Sequence, residues 1–146
     1  MTNALPVLKA RRWPGVLNLE FRNLQPVWGI RPPGIRRLIK AGWEIDAHTL
    51  THPDLTAVGA AQLHDEVAGS RDAIRKKFHV PVNFFCYPAG RYDDTVVAAV
   101  QAAGYLGATT TNYGLARPGD LYTLNRVRIN GTDSISAFAQ KLEALH

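Results

Sequence analysis

Leu38-Ile-Lys-Ala-Gly-Trp-Glu-Ile-Asp-Ala-His-Thr-Leu-Thr-His-Pro-Asp-Leu-Thr56 is the stretch from which the rest of the chain is best read. Pro32 and Pro33 suit the first turn of a helix that Ile35 to Ala41 continue, and Gly42 sits where a glycine ends one. Trp43 to Ala47 then reads as a strand. His48 and His52 begin where that strand ends. Their spacing is one helical turn, so both imidazoles can reach one metal ion. Pro53 disfavours helical geometry at His52, so the turn must be short. Two solvated histidines are the ordinary reading of the same spacing. Two ligands also fall short of a catalytic zinc site, which commonly has three from the protein and one open position.

Outward from this stretch the chain alternates helix and strand. Asn3 to Arg12 reads as a short helix, Gly15 to Phe21 as a strand and Pro26 to Pro33 as a loop. Leu63, Val67, Ile74 and Phe78 share one face of a long helix predicted over about Thr56 to Lys77. Val82 to Cys86 is a predicted strand. Asp93 or Asp94 caps a helix carrying Val96, Val97 and Val100, Gly104 ends it, and Tyr105 to Thr110 forms the next strand. The joints Lys40–Ile45 and Gln101–Leu106 are alike: helix, glycine, strand. Leu121 to Ile129 reads as a further strand, and Asp133 opens a last helix with Ile135, Phe138 and Leu142. Such alternation predicts an α/β fold, a mostly parallel sheet covered by helices, with about five of each element. Sites in such folds lie beyond the carboxyl ends of the strands, where His48 and His52 fall.

Composition narrows the function classes. The chain has 146 residues, 46% hydrophobic and 20% charged, which fits one globular domain over residues 1–146. One cysteine, Cys86, rules out an internal disulfide. No apolar run is long enough to span a membrane. The opening MTNALPVLKARRW has no apolar core before its charges, so the sequence as it stands reads as lacking a secretory signal peptide; location is left open. The formal net charge is +5, but the arginines and lysines are scattered and no stripe interleaves them with aromatics, so no nucleic-acid partner is expected. No glycine-rich phosphate loop follows any strand.

The stretch from Leu38 to Thr56, followed by Phe84-Phe-Cys-Tyr-Pro-Ala-Gly-Arg-Tyr-Asp-Asp94, closely resembles the NodB-homology polysaccharide deacetylases, carbohydrate esterase family 4. Asn-Ala-Leu-Pro-Val-Leu-Lys, from Asn3, resembles the family's first helix, and Leu124 to Asn130 its late strand. The resemblance implies a distorted (β/α) barrel and a divalent metal, usually zinc, serving removal of acetyl groups from N-acetylglucosamine polymers or acetylated xylan. It implies that His48 and His52 are metal ligands and that the backbone N–H of Ala89 helps hold the oxyanion. Tyr87, Pro88, Arg91 and Arg128 become the candidate substrate-binding residues.

The sequence also departs from the family. The Thr-Phe-Asp-Asp-Gly motif, which supplies a metal ligand and the general base, has no counterpart, and Met1 aligns with the entry to the first helix. The expected barrel is therefore incomplete, its first strand missing, with an edge beside Gly15–Phe21 open to dimerisation. Cys86 stands where the family has an arginine. The late catalytic histidine has no clear match; His146 ends a helix. Asp46, on the strand face of His48, is a candidate substitute carboxylate, alternatively a structural aspartate inside the sheet, with a metal or Arg128 as partner. Asp54 and Asp93 read as helix caps, and His64 and His79 as solvated. Thr109 to Thr111 could line a cavity, and Trp13, Trp28 and Trp43 could stack on sugars or simply pack. Arg126 and Arg128 alternate with apolar residues and share a face, suited to holding a carboxylate or an acidic sugar, or else forming a solvent-facing strand edge. The competing function is a non-catalytic carbohydrate-binding or regulatory remnant of the same fold.

Overall fold

The fold is taken from a computed structural model that describes residues 4–24, 29–119 and 121–143. Pro26, Trp28 and His146 lie outside that range, as does the side chain of Leu142. Four strands form the sheet: β1 (Val16–Leu19), β2 (Glu44–Ala47), β3 (Phe84–Cys86) and β4 (Gly107–Thr109). All neighbours are parallel, in the order β1-β2-β3-β4. Register runs from Val16 opposite Glu44 to Leu19 opposite Ala47, then Ala47 opposite Phe85, then Cys86 opposite Thr109. Each strand lies beside its predecessor and the order never reverses. Right-handed crossovers in one direction place every helix on the same face, which is how (β/α) barrels are built. The sheet is not closed among the described residues: β1 pairs only with β2.

The helices are α1 (Ala4–Ala10), α2 (Pro32–Lys40), α3 (Ala60–His64), α4 (Ser70–Phe78), α5 (Asp94–Ala102) and α6 (Ile135–Glu143). Prolines occupy the first turn of α2, where no helical N–H is lost. Its end is a Schellman cap: Gly42 takes φ 83° and Trp43 N–H donates to the Leu38 carbonyl at 3.1 Å. Gly104, φ 77°, ends α5, with its N–H on the Gln101 carbonyl at 2.9 Å. The matching joints of the sequence thus both turn on a left-handed glycine. Asp93 caps α5 by accepting from Val96 N–H.

Several expectations are corrected. The predicted fifth strand, Leu121–Ile129, does not form. It meets β4 at a single bridge, Thr109 with Leu124, and by Arg126 it has turned to bond Asn112 in the loop beyond β4. The strand predicted to reach Phe21 stops at Leu19, and Phe21–Leu24 is a 3-10 turn. The long helix does not begin at Thr56. Asp54 caps a separate 3-10 turn, Leu55–Ala57, and the helix starts after Gly59. It is also interrupted: a π-helical turn, Asp65–Gly69, joins α3 to α4. The last helix is opened by the Ser134 hydroxyl, which accepts from Ala137 N–H, while Asp133 pairs with Lys141 at 2.5 Å.

The core lies between the sheet and the helices. Ile45, Ala47, Phe85 and Ala108 from the strands meet Ile35, Val67, Ile74, Val96, Val100 and Tyr105, all at most 2% exposed. Asp46, between Ile45 and Ala47, points to the opposite face and is still only 3% exposed, so β2 is buried on both sides, as a barrel strand is. Among the described residues no helix is long and apolar enough to cross a membrane.

Candidate active site

β2 ends at Ala47, and the chain leaves the sheet through His48-Thr-Leu-Thr-His-Pro53. This segment is not the helical turn expected from the spacing. Thr49 and His52 both take left-handed backbone, φ 66° and 61°, and the loop folds on itself. The Thr49 hydroxyl donates to the His48 carbonyl at 2.6 Å and accepts from His52 N–H at 2.9 Å. The imidazoles still come together, with ring centroids 4.7 Å apart and planes at 74°.

His48 is fixed from two directions. Its backbone N–H continues the β1–β2 ladder onto the Leu19 carbonyl at 3.0 Å. Its ring Nδ1 donates to the Cys86 carbonyl at 2.6 Å, at the end of β3. A carbonyl can only accept, so Nδ1 carries the proton and the lone pair of the neutral ring lies on Nε2. Burial draws the His48 pKa down, but contacts with Cys86 and the charge of Glu20 outweigh it, and the pKa is raised overall. For Cys86, burial pushes the thiol up, while His48, Thr109 and Arg126 more than offset it and leave it lowered.

β3 leads into Tyr87-Pro88-Ala89-Gly90. Gly90 N–H returns to the Tyr87 carbonyl at 2.9 Å, and Ala89 is held at φ 51°. The two strand-end segments border one cavity of about 690 Å³. Its walls include His48, His52, Tyr87, Ala89 and Arg128 from the sequence candidates, together with Asn18, Cys86, Thr111 and Arg126. A second cavity, about 990 Å³, shares Asn18, His48 and His52 and adds Glu20 and Arg31.

Three candidates are not brought to this cavity. Asp46 is enclosed in the sheet, where its carboxylate accepts from Phe84 N–H at 3.1 Å; burial pushes its pKa up to about 6. Among the described residues its hydrogen-bond partner is the Phe84 backbone, not Arg128. Arg91 turns outward to Asp54, 2.6 Å away. Pro88 is buried in the turn and lines no part of the cavity. Tyr87 contributes wall rather than a free hydroxyl: its O–H donates to the Tyr122 carbonyl at 2.9 Å and its ring stacks on Tyr92. Arg126 is anchored, with Nε on the Thr110 carbonyl at 2.8 Å. Trp13 is exposed, and the Trp43 ring lies against Gly15. His64 is exposed beside Asp65, and His79 ends α4.

Sequence reasoning missed Asn18, Glu20 and Glu66. Asn18 and Glu20 carried a signal, since both interrupt the apolar run from Val16 to Phe21 and alternate with Leu17, Leu19 and Phe21. Glu66 lies beside Val67 on the apolar helix face, a carboxylate where burial was expected. It is 4% exposed and holds the His48–His52 loop.

The donor chemistry fits part of a metal site. Two imidazoles in contact, one with its outer nitrogen free by virtue of the Cys86 bond, suit a borderline divalent ion. Among the described residues no group of three or more His, Cys, Asp or Glu side chains is placed to hold one.

Fold and site together define a parallel (β/α) protein with paired histidines where β2 meets the turn after β3. The model of the family described as "Polysaccharide deacetylase" matches residues 1–108, and the chain belongs to that family. It is similar to YxkH of Bacillus subtilis strain 168, 27% identical over 144 residues, which cover 98% of this chain and 52% of that one. A chitooligosaccharide deacetylase of Sinorhizobium fredii is 36% identical over 75 residues, 51% of this chain and 35% of that protein. Among solved structures, the Streptococcus pyogenes deacetylase PplD in complex with acetate superposes with a TM-score of 0.86 at 26% identity, covering 96% of this chain and 63% of that one. The chain therefore spans between about a third and two thirds of these relatives' lengths. The fold matches that of the solved deacetylase, a NodB-type barrel, and among the described residues of this chain the parallel sheet is not closed.

Proposed function

We propose that this chain forms a single deacetylase domain that removes acetyl groups from an amino-sugar polymer, with His48 and His52 as ligands of a divalent metal, zinc by preference. The observation that carries the reading is the hydrogen bond from His48 Nδ1 to the Cys86 carbonyl, which joins the histidine loop to the Tyr87–Gly90 turn at one cavity. A histidine that ligates metal through one nitrogen commonly donates its other N–H to such an acceptor. When bound, a divalent ion supplies Lewis acidity toward the acetyl carbonyl and makes water a competent nucleophile near neutral pH. The protein's own part is positioning. The left-handed Ala89 offers a backbone N–H beside the cavity for the charge that develops on the acetyl oxygen. Arg128 supplies positive charge along the wall where an acidic substituent would lie.

The chitooligosaccharide deacetylase among the relatives makes N-acetylglucosamine oligomers the first substrates to try. Zinc titration by calorimetry should give one site per chain in the wild type and none in His48→Ala or His52→Ala. Acetate release from chitin oligomers should fall at least about a hundredfold in both variants. A wild type that binds no zinc sinks the metal reading. One observation favours a second function: among the described residues no carboxylate joins the two histidines in a metal-holding group. Saturable oligomer binding without acetate release would select that reading, a carbohydrate-binding domain.

A further inference from the structure

Glu66 is a carboxylate inside the protein, and its hydrogen bonds all run to one place. Oε2 accepts from Leu50 N–H at 2.8 Å and Thr51 N–H at 2.9 Å, and Oε1 accepts from the Thr51 hydroxyl. All three donors lie between His48 and His52. A buried carboxylate is tolerated only where its lone pairs are met, and here the loop meets them. The π-helical turn Asp65–Gly69 accompanies this placement: Glu66 and Val67 are consecutive and both buried, 4% and 0% exposed, Val67 in the core and Glu66 on the loop. Such turns widen a helix locally and recur at functional sites.

The loop has need of an outside restraint. Two of its non-glycine residues, Thr49 and His52, sit in left-handed backbone, a sparsely populated state for a β-branched side chain above all. His48 is independently secured by Leu19 and Cys86. Among the described residues the His52 ring makes no hydrogen bond; only its backbone N–H is held, by Thr49. The place of His52 relative to His48 therefore depends on the path of Thr49 to Thr51, the path on which Glu66 acts.

We propose that Glu66 is a positioning residue that sets His52 against His48 from the neighbouring helix. The significance for metal rests on the reading of those histidines as ligands; the positioning itself does not. Glu66→Gln can keep the arrangement, its amide oxygen accepting from the two N–H groups and its amide nitrogen donating to Thr51. Glu66→Ala cannot.

The test uses the full chain and two readouts. In the zinc-free protein, the nuclear Overhauser contact between the His48 and His52 ring protons should be present in wild type and Glu66→Gln and lost in Glu66→Ala. Zinc affinity should fall about tenfold to a hundredfold in Glu66→Ala and match wild type within error in Glu66→Gln. If Glu66→Ala does not fold, Thr51→Val, which removes the hydroxyl bond alone, should weaken zinc about threefold and dim the ring contact. A folded Glu66→Ala, or failing that a Thr51→Val, with wild-type ring contact and affinity overturns the proposal. A wild type that binds no zinc, with the ring contact still lost in Glu66→Ala and kept in Glu66→Gln, leaves the positioning intact and removes the metal reading instead.

Discussion

The segment His48–Pro53, leaving β2, and the segment Tyr87–Tyr92, leaving β3, border the same cavity and are held by different means. The second is closed by a turn of its own residues. Pro88 fixes the start of the turn, Gly90 closes it onto Tyr87, and Gly90 packs so closely on Thr111 that a Cβ there would lie 2.0 Å from the Thr111 hydroxyl oxygen. The first contains no glycine and spends two strained residues on its path. It is held from a distance by Glu66, and through the His48 ring by Cys86. A loop fixed by its own residues can be read from its own residues; a loop fixed by a helix sixteen or so positions away cannot.

The largest expected effect separates the two loops. Gly90→Ala must displace Thr111 and also adopt φ 72° with a side chain. Overpacking and left-handed strain together should cost about 4 kcal/mol, read as a lower urea midpoint with an unchanged slope. At temperatures where the variant is folded, zinc affinity should match wild type, because the histidine loop draws nothing from Gly90. A matching loss of zinc would mean that the two loops are one mechanical unit, and the contrast drawn between them would fail.

Beneath both loops, Asp46 ties β2 to β3 through Phe84 N–H. Burial raises its pKa from 3.8 to about 6, against the pull of that hydrogen bond. A folded-state value above the unfolded one means that the native protein holds the proton more tightly. Its stabilising contribution is therefore full below about pH 4 and is lost as pH rises through about 6. At about 1.4 kcal/mol per pH unit, the loss is about 3 kcal/mol. Asp46→Asn keeps an acceptor for Phe84 N–H and has no proton to lose. Urea midpoints at pH 4 and pH 7 should diverge in wild type, lower at pH 7, and the part due to this group should vanish in the variant. A wild-type slope unaltered by the substitution would show that Asp46 is already hydrated and charged at low cost.

How much of this was legible follows the same division. The helix-glycine-strand joints at Gly42 and Gly104 were readable because a glycine after an apolar helix face has one common use. The histidines were readable as a pair, but not their loop, because helical spacing also describes residues brought together by left-handed turns at Thr49 and His52. The absent strand at Leu121–Ile129 was misread because β-branched and aliphatic residues there alternate like a strand, while the bonds that decide the matter, such as Arg126 N–H to Asn112, belong to another segment. Glu66 was passed over for the same reason: its partners lie in the β2 loop, outside its own helix.

The smallest effect concerns the ion pair of Arg91, in the second loop, with Asp54, the cap that follows the first, at 2.6 Å. The Arg91 side chain is 65% exposed, so water screens the pair and it should contribute little to stability. The resemblance made Arg91 a substrate-binding candidate, whereas the geometry turns it away from the cavity and onto a cap. Arg91→Ala should therefore shift the urea midpoint barely beyond error and leave KM for chitin oligomers unchanged, while Arg128→Ala in the cavity wall serves as the comparison. A raised KM with kcat intact in Arg91→Ala would mean that substrate draws Arg91 off Asp54 into the cavity. In that case the two loops, separately built, would be joined by the substrate rather than by the protein.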